Sequence, residues 1–149
     1  GDAVHEPGNF KAPFGMNQAE LIEAAGGYKV DPEKIISGGP MMGFSMFTVD
    51  VPVTKTSSSI LCFTKDEVAQ YEPTACINCG RCVEVCPSRL IPSRLADYAE
   101  HHDEEAFTKH EGLECMECGS CSYVCPAKRQ LKQAIGSMRK TALANRKKK

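Results

Sequence analysis

The chain has 149 residues, 42% of them apolar, with no Trp and 7% aromatic, enough for one domain or two small ones with a modest core. No apolar run approaches the roughly 18 residues a membrane span needs, and no signal peptide is recognisable, so no transmembrane segment is expected. The net charge of −1 hides an asymmetry: residues 1–127 hold 9 Lys/Arg against 19 Asp/Glu, and residues 128–149 hold 9 Lys/Arg and no acid. An acidic body with a basic end points to a partner or a surface. Nucleic acid is a poor candidate, because the basic end carries no aromatic residue. The opening Gly1-Asp2, without Met, suggests a fragment.

Residues 1–66 contain one cysteine and have the pattern of a small α+β domain. Residues 3–4 and 10–12 flank His5-Glu6-Pro7-Gly8-Asn9, a turn signal that predicts a hairpin. Asn17 predicts a helix start, with Glu20 three residues on. Leu21, Ile22, Ala24 and Ala25 follow, and Gly26-Gly27 predicts the stop. Residues 34–37 predict a strand leading into a loop over residues 38–43, and residues 51–54 and 59–63 predict two more strands. This order suits a β-grasp-like sheet on one helix.

Residues 67–127 form a second expected domain, mainly helical. Residues 92–102 predict a helix with Pro near its start and Leu95, Tyr98 and Ala99 on one face. Residues 103–110 predict another that opens on acids and ends before Gly112. Residues 128–149 form a basic amphipathic helix and tail, with Leu131, Ile135 and Met138 on one side and Lys147, Lys148 and Lys149 fraying.

The second domain holds the chemistry. Residues 76–87 read CINCGRCVEVCP and residues 115–126 read CMECGSCSYVCP. Cys76, Cys79, Cys82 and Cys86 recur 39 positions later as Cys115, Cys118, Cys121 and Cys125. Cysteines this close in sequence suit metal ligation rather than a disulfide framework, and imply a reducing compartment. Zinc held by four cysteines usually takes two separated Cys-x-x-Cys pairs. Three thiolates at this pitch reach three corners of an iron–sulfur cubane, and the fourth, followed by Pro, ligates the other cluster in two-cluster proteins. Two [4Fe–4S] clusters are expected, one on Cys76, Cys79, Cys82 and Cys125, the other on Cys115, Cys118, Cys121 and Cys86. Gly80 and Gly119 allow a left-handed backbone, and Ile77, Val85, Met116 and Val124 are expected to shield the clusters. No side chain is assigned a catalytic role.

The upstream half adds a resemblance. Pro7-Gly8-Asn9-Phe10, Pro13-Phe14-Gly15, Leu21-Ile22-Glu23-Ala24-Ala25-Gly26-Gly27 and Gly38-Gly39-Pro40-Met41-Met42-Gly43 resemble the soluble-ligand-binding β-grasp (SLBB) domain of the C-subunit of the Rnf/Rsx electron-transport complex. With two cluster motifs and a basic end following, the order resembles the C-terminal part of that protein. The resemblance implies a peripheral subunit on the cytoplasmic side of a membrane-bound ferredoxin:NAD oxidoreductase that couples electron flow to Na+ or H+ transport. It implies a ferredoxin-like partner subunit, and FMN and NADH sites in an upstream domain. No glycine-rich nucleotide loop is present, since Pro40 and two Met interrupt residues 38–43, so the chain by itself is not expected to turn over NADH. A cobalamin reductase of the propanediol-utilisation type resembles the same family and is an alternative, as is a structural or sensory metal-cluster module.

The remaining candidates have plainer readings. Cys62 lacks ligand spacing and reads as a buried strand thiol. His5, His101, His102 and His110 read as surface residues, with His101-His102 closing a helix. Residues 38–43 read as a structural loop or a contact to another subunit, with small-ligand binding as the alternative. The basic end reads as a solvated helix, or as a dock for anionic lipid or an acidic partner.

Overall fold

Asn17 ends an extended segment and starts the first helix. Its side-chain oxygen accepts a hydrogen bond from the Ala19 amide at 2.9 Å, satisfying a donor that a helix N-terminus leaves open. Helix α1 spans Gln18–Ala24 and stops where Gly26 and Gly27 adopt positive φ. The computed structural model describes residues 1–147 and divides into two units, Gly1–Gln70 and Tyr71–Lys149. The expected boundary lay four residues earlier. Lys148 and Lys149 of the expected fraying end lie outside the described residues.

In the first unit, β1 (Lys34–Ser37), β2 (Phe44–Met46) and β3 (Ile60–Phe63) form an antiparallel sheet in the order β2-β1-β3. Ile35 lies opposite Met46 on one side and Cys62 on the other. The core gathers Ala3, Val4, Ile22, Ala25 and Cys62. Residues 38–43 are the tight link from β1 to β2. A Cβ at Gly43 would lie 2.5 Å from the Gly39 carbonyl oxygen and 2.6 Å from Ile36 Cγ2, so only glycine fits where the link closes on itself.

Three expectations for this unit need correction. The hairpin over residues 3–12 does not form. Val4 bridges to Tyr28, and Ala3 donates to the Cys62 carbonyl at 3.2 Å. Pairing with the chain that leaves α1 buries Ala3 and Val4 completely or nearly so, which a local turn would leave half open. The strand over residues 51–54 shrinks to one bridge, Asn17 to Pro52, with Val53 donating to the Met16 carbonyl at 2.7 Å and Gln18 to the Val51 carbonyl at 2.9 Å; its partner segment turns into α1 at Gln18, so the ladder cannot run on. Strand β2 was not foreseen. Its three residues, Phe44-Ser45-Met46, are exposed or half-buried, too short a run for alternation to mark a strand.

The second unit is helical. After α2 (Arg81–Glu84) come α3 (Pro92–Glu100), α4 (Glu104–Lys109), a 3₁₀ turn at Gly112–Glu114, α5 (Ser120–Tyr123) and α6 (Leu131–Arg146). Asp103 caps α4 by accepting from the Ala106 amide at 2.9 Å. The core joins Leu90, Leu95, Ala96, Ala99 and Phe107 to Leu131, Ile135 and Met138 of α6. The C-terminal helix is therefore part of this unit's core, not a separate tail. Phe107 is fully buried, and a Cβ at Gly112 would lie within 2.6 Å of its ring. Among the described residues no helix is long and apolar enough to cross a membrane.

Candidate functional site

The two cysteine runs share one backbone. Gly80 turns the chain at φ 78° ahead of α2, and Gly119 turns it at φ 84° ahead of α5. A Cβ at Gly80 would meet no other atom, so the left-handed φ, not crowding, is what calls for glycine. Asn78 and Glu117 match at φ 54° and 56°, and Arg89 and Lys128 at 53° and 54°. Cys86 donates its amide to Val83 at 3.1 Å, and Cys125 to Ser122 at 3.3 Å. The correspondence extends to the helices, since Pro92 opens α3 and Leu131 opens α6 at the same 39-residue offset.

This doubled backbone gathers the thiols into two sets. Cys76, Cys79, Cys82 and Cys125 line a cavity of about 110 Å³. Cys115, Cys118, Cys121 and Cys86 line a second of about 20 Å³. The fourth cysteine of each run thus sits with the first three of the other. The four thiols of each set border a space rather than meet at a point. Among the described residues no group of three or more His, Cys, Asp or Glu side chains is arranged to hold a single metal ion. Four sulfur donors around each space are the donor set of a [4Fe–4S] cluster, and the residues present fit that group.

Packing fixes these side chains from behind. Cys82, Cys86, Cys115, Cys121 and Cys125 abut the helical core, whereas Cys76 and Cys79 are exposed. Burial raises the thiol pKa of Cys115, and raises that of Cys121 to about 11. The Ser120 hydroxyl lowers that of Cys118. Metal binding requires thiolates, so loading these sites releases protons. The expected apolar shield is thin: Ile77 is 65% exposed, Met116 57% and Val85 37%. Ile77 still borders the first cavity and Met116 the second, and Val124 is half-buried, so each loop covers its cavity only in part.

Charged residues flank the two cavities differently. Arg81 and Arg129 line the first, and Glu117 and Lys132 the second. Arg129 donates to Asp97 at 2.8 Å and to Glu100 at 2.9 Å. Burial works against its charge, but the two carboxylates outweigh burial and hold its pKa above the usual value. Arg139 donates to the Leu113 carbonyl at 3.0 Å and to Glu117 at 3.3 Å, so it is committed inside the unit rather than offered to a surface. Sequence reasoning passed over Arg129 and Glu117. Each breaks the 39-residue repeat, opposite Leu90 and Asn78, and that mismatch was the available signal.

The other candidates fall outside both sets. Cys62 is 1% exposed in β3, and burial raises its pKa. His101 and His110 each engage a carbonyl of their own helix through Nδ1, that of Asp97 at 2.7 Å and of Ala106 at 2.9 Å. His5 and His102 are exposed.

Comparison with known proteins agrees with this division. A family model described as an SLBB domain matches residues 1–45, and a 4Fe-4S dicluster domain matches residues 75–129. A relative from Acetobacterium woodii, the C-subunit of a Na(+)-translocating ferredoxin:NAD(+) oxidoreductase complex, is 43% identical over 148 residues. The chain belongs to the C-subunit family of ion-translocating oxidoreductase complexes. It spans 33% of the length of that relative, which covers 99% of the chain. The C-subunit of a proton-translocating ferredoxin:NAD(+) oxidoreductase complex from Clostridium ljungdahlii is 46% identical over 96 residues, 64% of the chain and 21% of the relative. The C-subunit of an ion-translocating oxidoreductase complex from Methanosarcina acetivorans is 43% identical over 98 residues, 66% of the chain and 22% of the relative. The family match thus covers both units of this α+β chain.

Proposed function

We propose that this chain is an electron-transfer module of a ferredoxin:NAD oxidoreductase complex, holding two [4Fe–4S] clusters on crossed ligand sets. Cys76, Cys79, Cys82 and Cys125 hold one, and Cys115, Cys118, Cys121 and Cys86 the other. The observation that carries this is the cavity lining, in which Cys125 joins the first three thiols and Cys86 the second three. A bound [4Fe–4S] cluster supplies a reversible one-electron carrier. The chain's residues do the rest. The cysteines fix position, α3 and α6 back the sites with apolar packing, and the amides of Leu90 and Glu117, each 3.4 Å from a cysteine sulfur, donate to Cys86 and Cys115. Crossed ligands keep the two sites adjacent, which short electron hops need.

In the parent complex this module stands between a flavin and NADH site, carried on a part of the protein outside this chain, and a ferredoxin-like partner subunit. It sits on the cytoplasmic side as a peripheral element. Lys140, Arg146 and Lys147 are exposed and offer the basic face of α6 to anionic lipid or an acidic subunit. The test is anaerobic reconstitution with iron and sulfide, followed by metal and sulfide analysis and EPR after dithionite reduction. About eight iron and eight sulfide per chain, with spectra of two interacting spins, support the reading. Zinc without sulfide overturns it.

A further inference from the structure

The repeat matches in backbone but not in charge. At the first cavity Arg129 lines the space, in the position that Leu90 takes in the other half. Its side chain is 12% exposed, while its partner acids Asp97 and Glu100 are 51% exposed and do not line the cavity. The cation is therefore the inner charge, and water and salt screen the acids behind it. Arg81 adds a second cation to this lining, and no acid joins it.

At the second cavity the inner group is an acid. Glu117 lines the space, where the first half has Asn78. It is held by Arg139 and lies on Gly136, where a Cβ would come within 2.9 Å of Oε2. Glycine inside a helix is about 1 kcal/mol worse than alanine, and the room it leaves here is filled by this carboxylate. Arg139 and Gly136 are thus positioning residues for Glu117. Lys132 also lines this cavity and offsets the acid, so the residues that line the cavities carry two positive charges at the first site and zero at the second, with the ion-pair partners Asp97, Glu100 and Arg139 outside both linings.

Exposure points the same way. Cys76 and Cys79 are exposed, whereas all four thiols of the second set are half-buried. Reduction adds a negative charge to a cluster that is already anionic with its thiolates, and both a half-buried cation and access to water favour that state. The two amide donors to Cys86 and Cys115 work the other way, but they are long bonds from neutral dipoles and weigh less than a half-buried full charge.

On the footing of the two-cluster reading above, we propose that Arg129 and Glu117 set unequal reduction potentials, so that an electron shared by the two sites rests at the Cys76, Cys79, Cys82 and Cys125 site. One site gains the electron that the other loses, and no bond forms or breaks.

The experiment is an EPR-monitored potentiometric titration of the reconstituted chain, with iron and sulfide content measured on each sample. The wild type shows two one-electron waves. A C76A/C125A chain, which retains the second site, titrates at the lower one. R129Q moves the upper wave down and E117Q moves the lower wave up, each by about tenfold in the one-electron equilibrium, about 59 mV. R129K keeps the upper wave, which separates charge from a purely structural role for Arg129. If R129Q loses its fold with its ion pairs, E117Q still tests the assignment. When the wild type holds full iron and sulfide, coincident waves, a C76A/C125A chain that titrates at the upper wave, or waves unmoved by both charge removals overturn this proposal alone. Absence of iron and sulfide in the wild type overturns it together with the cluster reading.

Discussion

Paired cysteine removals test the crossed sites directly. A single lost ligand is a weak test, since three remaining thiolates can retain part of a cluster. Two losses in one set leave two donors and empty that site, while two losses split between the sets damage both. With Cys125 in the first cavity and Cys86 in the second, C76A/C125A is expected to retain about half of the roughly eight iron atoms per chain. C115A/C86A is expected to behave alike. C76A/C86A leaves three thiols at each site, so both clusters are expected to be degraded and neither to give the spectrum of an intact site. The assay is iron and sulfide quantitation after anaerobic reconstitution, with the reduced EPR spectrum changing from two interacting spins to one isolated spin in the first two variants. Far-UV circular dichroism shows whether each variant keeps its helices. Local ligation, in which each run closes its own site, demands the reverse pattern. If C76A/C86A keeps one intact cluster with its isolated-spin spectrum and C76A/C125A degrades both, the crossed assignment is refuted.

In the first unit, Gly43→Ala forces a Cβ against the Gly39 carbonyl and Ile36 and should destabilise the unit by about 1–3 kcal/mol, read as a lower urea midpoint with the slope unchanged. Lys34 donates two hydrogen bonds to Asp66 and lowers its pKa. The folded value lies below the unfolded one, so the stabilisation is present above the unfolded pKa and is lost as pH falls through the folded pKa. Lys34→Gln should flatten that acid limb in a urea series from pH 7 to pH 2, and an unchanged limb counts against the pair. Neutralising Lys140, Arg146 and Lys147 should weaken sedimentation with phosphatidylserine vesicles at low salt by about 1 kcal/mol per charge. Arg139 is left intact, because its bonds to Leu113 and Glu117 are internal. Equal sedimentation before and after neutralisation leaves α6 a solvated helix.

Local chemistry made much of this molecule legible from its residues. Asn17 and Gly26-Gly27 bound one helix, and Asp103 opens another, because caps act within a few residues of themselves. Eight cysteines at repeated spacing name their chemistry, since thiol identity and pitch determine which ions or clusters a loop can grip. Leu131, Ile135 and Met138 mark the buried face of α6 because helical periodicity places them on one side. Pairing between distant segments was not legible in the same way. Whether Ala3 and Val4 join a local hairpin or the chain leaving α1 depends on which partner buries them better, a comparison between remote surfaces. Strand β2 owes its place to a glycine link that closes at Gly43, not to a pattern of its own. The charge difference between the two cavities is the sharpest case. Arg129 and Glu117 show in the sequence only as mismatches in the 39-residue repeat, and the folded chain alone decides that one lines the first set of thiols and the other the second. An electrostatic effect depends on distance and burial, and tertiary structure sets both.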